Sequence, residues 1–158
     1  MSYIRKKTVA GIKKGDTFTV SRIFTEQDVS RFAEISRDYN PVHFEERFAH
    51  VKNFTGTICH GLLVGCLLTE IGGQIGMLAS GMYFDFKNPV YFGDRIECRF
   101  TISEIDDRGR AKADVYFRNE AGTVVVEATV TGIIPGQKEI EVLEAMLTEG
   151  DPTNKLSH

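Results

Sequence analysis

Between Met82 and Val130 the chain alternates apolar and polar residues with a period of two, in four runs. Met82, Phe84 and Phe86 are interleaved with Tyr83, Asp85 and Lys87, and Ile96, Cys98, Phe100 and Ile102 with Glu97, Arg99 and Thr101. Ala111, Ala113, Val115 and Phe117 alternate with Lys112, Asp114 and Arg118, and Val124, Val126, Ala128 and Val130 with Glu127 and Thr129. Successive side chains of a strand point to opposite faces, so each run predicts a strand with one apolar face. The segments NPVYFGD, DDRG and NEAG supply turn residues between them. The four runs therefore read as a consecutive antiparallel meander with one face against a core. An earlier segment, TFTVSRIF, reads as a further short β segment.

The stretch from Gly61 to Leu78 breaks this period. Leu62, Leu63, Val64, Leu67, Leu68, Ile71, Ile75 and Leu78 surround nearly the whole circumference of a helix, with Glu70 and Gln74 as the main polar exceptions. A helix apolar on almost every side is a buried helix. Gly61, Gly65, Thr69, Gly73 and Gly76 form a small-residue stripe along it. Interior glycine costs roughly 0.5–1 kcal/mol against alanine. Close approach of a sheet, a partner helix or a ligand would offset that cost. The architecture predicted is α+β, an antiparallel sheet wrapped round one buried helix.

Upstream, Thr25 opens a second helix, because TEQD is a capping-box variant with Asp28 in the third position and Phe32 and Ile35 follow on one face. Pro41 lacks an N–H and disfavours helical backbone at Asn40, so the helix ends before it. The segment ISRDYNPVHF thus lies on a loop just past a helix end, with Asp38 and His43 five residues apart. Two readings fit: a turn stiffened by Asp, Asn and Pro, or an acid/base pair on a rigid loop.

Composition narrows the class. The 158 residues suit one domain, and a net charge of -3 with scattered basic residues gives no reason to expect nucleic acid as a partner. The opening MSYIRKKTVAGIKKGD has no apolar run of a secretory signal, and Gly61–Leu68 is far too short to span a bilayer. Cys59, Cys66 and Cys98 are odd in number and unpaired in spacing, which fits free thiols in a reducing cytoplasm. Cys59 beside His60 is read as a buried small apolar residue. Residues 1–135 are expected to form the domain. In 136–158 a short helix is expected around Glu139–Leu147, with a frayed end beyond Gly150.

The run FAEISRDYNPVH, with Ala49 six residues on, resembles the signature of R-specific enoyl-CoA hydratases, the MaoC-like group of the hotdog fold. ICHGLLVGCLLTEIGG resembles that family's central helix and FKNPVYFGDRI its following strand and turn, so the likeness runs from Lys14 to Ile134. Arg37 departs from it, standing where the family usually has a small residue, often glycine.

The resemblance implies reversible hydration of a trans-2-enoyl thioester to an (R)-3-hydroxyacyl thioester. The carrier would be coenzyme A or acyl carrier protein, with no cofactor and no metal, and the chain would pair as a homodimer or a higher assembly. Asp38 and His43 would activate water, and the Gly61 N–H at the helix start would polarise the thioester carbonyl. Asn40 and Pro41 would stiffen the loop at the substrate, with Gly65 and Thr69 near it. His60 would cap or orient the loop, and His50 is expected to be exposed. A thioesterase, a non-catalytic acyl-binding module and a metal site built from Asp38, His43 and His60 are the competing readings.

Overall fold

A computed structural model of the chain describes residues 2–155. Its elements run α1 (Tyr3–Ala10), β1 (Thr17–Ile23), α2 (Glu26–Ser36), a 3-10 turn at Pro41–His43, α3 (Glu46–Val51), α4 (Gly61–Ile75), β2 (Leu78–Phe86), β3 (Arg95–Ile105), β4 (Arg110–Asn119), β5 (Val124–Ile133) and α5 (Gln137–Glu149). The strands form one antiparallel sheet in the order β1-β3-β4-β5-β2.

The period-two faces are those expected on three strands. Ile96, Cys98, Phe100 and Ile102 of β3 are buried, as are Ala113, Val115 and Phe117 of β4 and Val126, Ala128 and Val130 of β5. They pack on Leu63, Val64, Leu67, Leu68, Ile71 and Ile75 of α4 in one continuous core. The sheet wraps one central helix, as the pattern predicts.

The four-strand meander is corrected. Only β3, β4 and β5 follow one another in space. Strand β2 pairs with β5, with Phe84 opposite Ala128, and so lies at the far edge. The NPVYFGD segment is therefore part of a crossing rather than a turn. The connection, residues 87–94, must span three strand spacings, on the order of 15 Å, which its eight residues can reach. Edge placement also explains why Met82 and Phe86 remain 44% and 51% exposed despite their apolar alternation.

Helix α4 is shorter than expected. Gly76 takes left-handed backbone (φ 79, ψ 26) and ends it, its N–H bonding Gly72 O and Gly73 O. Leu78 consequently starts β2 and is exposed. Leu62, Cys66 and Thr69 also lie exposed along one side of α4. On α2 the Thr25–Asp28 capping box is present, but the buried residues are Val29 and Ala33, and Ile35 is exposed.

Helices α1 and α3 carry little apolar pattern to announce them. Helix α1 buries Arg5 and Thr8 beside Ile4, and α3 buries Ala49. Residues 151–155 of the segment expected to be frayed are bonded to α1 and α4, and residues 156–158 lie outside the described residues. Arg5 pairs with Asp151 at 2.8 Å, and the Gln74 amide donates to the Thr153 and Lys155 carbonyls. Short-range polarity hid these partners, which lie far apart in the chain.

Candidate active site

Helix α2 ends at Arg37, which sits in left-handed backbone (φ 59, ψ 22) and turns the chain toward the site. Asp38 follows. Its Oδ1 accepts the Asn40 N–H at 3.1 Å, which closes a small turn and leaves Oδ2 facing His43. The Asn40 side chain in turn accepts the Val42 N–H at 3.2 Å, and Pro41 opens the 3-10 turn that carries His43. The turn reading of ISRDYNPVHF is realised, and the turn brings the Asp38 and His43 side chains toward one another.

His43 is buried. Its Nδ1 lies 2.8 Å from the Ile58 carbonyl. A carbonyl only accepts, so Nδ1 donates and the neutral ring presents a lone pair at Nε2. That Nε2 is 3.9 Å from Asp38 Oδ2, too long for a direct hydrogen bond. Burial holds the His43 pKa below its ordinary value, and the neighbouring His60 adds to this. The Ile58 carbonyl and Asp38 pull the other way.

The loop before α4 is fixed by the crossing segment, because the Cys59 N–H bonds Val90 O at 2.8 Å and Ile58 bridges Tyr91. This sets His60 beside His43, with ring centroids 3.8 Å apart and planes inclined by 32°. His60 donates from Nε2 to the Asp38 carbonyl at 2.9 Å. Gly61 follows as the first residue of α4, where the backbone N–H has no intrahelical acceptor and the helix dipole is positive.

Asp38, His43, His60 and Gly61 line a cleft of about 540 Å³ together with Phe32, Phe86 and Val90. Asn40, Pro41, Gly65 and Thr69 do not line it. Asn40 and Pro41 build the turn. Gly65 lies under Phe84, whose Cε1 would stand 2.9 Å from an added Cβ. Thr69 is exposed on α4, with its hydroxyl donating to the Cys66 carbonyl. Gly61 carries a second constraint that the sequence did not expose: a Cβ there would fall 2.6 Å from Phe86 Cε1. An alanine there would have to displace the half-exposed Phe86 ring, so packing also favours glycine whether or not it serves chemistry.

The remaining candidates fall into place on the same geometry. Cys59 is buried, and burial pushes its thiol up to about 12, which suits a packing residue and not a nucleophile. His50 is exposed. Donor atoms of Asp38, His43 and His60 come within 4.8 Å of one another. A metal must lie in the plane of each imidazole, however, at about 2.0–2.1 Å from nitrogen. One nitrogen of each ring is already engaged by a carbonyl, and rings with centroids 3.8 Å apart and planes inclined by only 32° have in-plane lone pairs that do not converge at so short a distance.

A family model described as a MaoC like domain matches residues 7–125. The mitochondrial 3-hydroxyacyl-[acyl-carrier-protein] dehydratase of Arabidopsis thaliana is 29% identical over 140 residues, 85% of this chain and 83% of that protein. The (R)-specific enoyl-CoA hydratase of Rhodospirillum rubrum is 30% identical over 133 residues, 80% of this chain and 90% of that one. Among solved structures, the (R)-hydratase of Aeromonas caviae involved in PHA biosynthesis superimposes with a TM-score of 0.74 at 26% identity, covering 79% of this chain and 98% of that one.

Proposed function

This chain belongs to the MaoC-like family, and we propose that Asp38, His43 and the Gly61 N–H are the groups with which it reversibly hydrates trans-2-enoyl thioesters to (R)-3-hydroxyacyl thioesters. It is a hydro-lyase on a hotdog fold, and its relatives are hydratases and dehydratases by name, which favours water addition over thioester hydrolysis.

The observation that carries the residue assignment is the pair of acceptors, Asp38 Oδ2 and His43 Nε2, 3.9 Å apart in the cleft wall. An oxygen about 2.8 Å from each satisfies both. A water held there donates both hydrogens and keeps its lone pairs for the substrate β-carbon. As the carbon–oxygen bond forms, one acceptor takes a proton and the π pair moves toward the thioester oxygen. The Gly61 N–H, at the positive end of α4, is suited to stabilise that oxygen. The captured proton is then returned to the α-carbon. Dehydration runs the same steps backward.

The carrier is coenzyme A or acyl carrier protein, as in the relatives. A homodimer joined at the β2 edge is supported by the exposed apolar residues Leu78, Met82 and Phe86 of that strand. Sedimentation of a clean monomer at micromolar concentration would exclude it. No helix among the described residues is long and apolar enough to cross a membrane, and three free cysteines support a reducing compartment such as the cytoplasm. The direct test is incubation with crotonyl-CoA and its carrier-protein analogue, with chiral analysis of the product. An (R)-3-hydroxy product is expected; free thiol release without it would mark a thioesterase.

A further inference from the structure

We propose that His60 is a positioning residue that holds Asp38 and His43 in register and tunes the pair. The inference rests on the hydration chemistry assigned above.

Three contacts converge on this one side chain. Its Nε2–H reaches across 22 residues to the Asp38 carbonyl at 2.9 Å, so it fixes the backbone of the carboxylate that faces the water. Its ring lies against His43 with centroids 3.8 Å apart, and against Phe32 at 5.0 Å, which limits the His43 ring to one orientation. It is 1% exposed and directly precedes Gly61, so the same residue fixes the start of α4. Its Nδ1 is buried without a hydrogen-bond partner among the described residues, and the side chain provides no cap for the helix. A residue selected for capping would use that atom. The orphaned nitrogen and the bond to Asp38 together indicate that His60 serves the loop.

The groups that face His43 are Asp38 from the loop after α2, the Ile58 carbonyl, and His60. Lys87, at the end of β2, lines the same cleft but is engaged by Asp85 and Glu127. His60 is therefore the neighbouring imidazole whose removal lets His43 take up a proton more readily.

The test compares His60→Phe and His60→Gln in the full chain, with wild type and Asp38→Asn as references, by steady-state hydration of crotonyl-CoA across pH. Phenylalanine keeps a ring against His43 and loses the donor to Asp38. Glutamine keeps an amide donor and loses the ring. For His60→Phe, kcat should fall between about 10- and 100-fold, the cost of misplacing a catalytic group by about an ångström, with KM little changed. His60→Gln should recover most of that loss. In both variants the acid limb of kcat/KM should move to higher pH.

A fully active His60→Phe enzyme with an unmoved pH profile overturns the proposal. So does a folded His60→Gln variant as impaired as His60→Phe, and this second variant keeps the test open if phenylalanine prevents folding. Absence of hydration by the wild type would instead overturn the reading of the site. Active wild type, inactive Asp38→Asn and unaffected His60 variants would overturn only the role of His60.

Discussion

The two ends of helix α4 are built in opposite ways. At its carbonyl end Arg5 donates to Gln74 O at 2.7 Å and Gly73 O at 3.3 Å while pairing with Asp151, and Gly76 closes the last turn. Residues from both termini of the chain meet there, with the Ser2 N–H on the Asn154 side chain and the Gln74 amide on Thr153 and Lys155. At the amide end no side chain caps the helix, and Gly61 stands in the wall of a cleft. Carbonyls at one end are paired within the protein, while the amides at the other have no side-chain cap and Gly61 lines the cleft. A helix terminus saturated by its own chain contributes stability. One left unsaturated keeps its donors and its positive dipole for a ligand.

That contrast is broken most strongly at Asp38 and His43. Asp38→Asn or His43→Ala should each lower kcat by at least about 10², within the usual range for general acid/base catalysis. Asp38 is half exposed, so its variant should lose little stability, whereas His43 is buried and bonded to the Ile58 carbonyl, so His43→Ala should also lower the melting temperature and its kcat is read per folded molecule. On the proposed mechanism both groups act on one water, so the double variant should cost little more than the worse single one. Near-normal turnover in either single variant would remove the mechanism.

Gly61→Ala comes next, and its interpretation depends on Phe86. The new methyl falls on that ring, so a loss of activity alone would not separate obstruction of the substrate from displacement of Phe86. Gly61→Ala should reduce kcat/KM by up to about 10², approaching the loss of an oxyanion donor, and should also lower the melting temperature. Adding Phe86→Leu should restore the melting temperature and leave the activity low. Recovery of both quantities would assign Gly61 to packing alone.

The amide end of α4 was far more legible in the sequence than the carbonyl end. Asp38, His43 and Gly61 sit in contiguous motifs whose residue types suit the chemistry proposed for them, and the apolar run of α4 named its own burial. Strand faces were legible too, because each face needs only local alternation. Strand order was not: Met82–Phe86 has the same period at an edge as it would in the centre, and only pairing with β5 distinguishes the two. Arg5, Gln74 and Asp151 were unreadable for a related reason. Each is polar and resembles surface until a partner about 70 to 150 positions away is known. His60 lay between these cases. Its motif was visible, but its bond to Asp38 exists only in three dimensions.

At the carbonyl end, Arg5→Leu keeps bulk but leaves Asp151 and two helix carbonyls without their donor. The expected cost is about 1.5–3 kcal/mol, as for hydrogen bonds to a charged group, measured by urea unfolding. Turnover per folded molecule should be unchanged, because the perturbation lies at the far end of α4. A variant equally stable but less active would invert the proposed division between the two ends.

The smallest effect should be a gain. Arg37 stands where the resembled family often has glycine, and it adopts the left-handed backbone that glycine enters freely, with its N–H bonding Ala33 O at 2.7 Å. For a residue with a Cβ this conformation costs roughly 1–2 kcal/mol. Glycine loses part of that advantage through the greater freedom of its unfolded chain. Arg37→Gly should therefore raise stability by up to about 1 kcal/mol, seen as a higher urea midpoint with an unchanged slope. Because the backbone path into Asp38 is already the one glycine prefers, kcat should stay at the wild-type value. A loss of stability would show that the arginine side chain, rather than the turn, holds the end of α2. A raised KM at unchanged kcat would instead give that exposed cation a part in recognising the anionic carrier. Either result would move Arg37 from a tolerated departure to a feature the site uses.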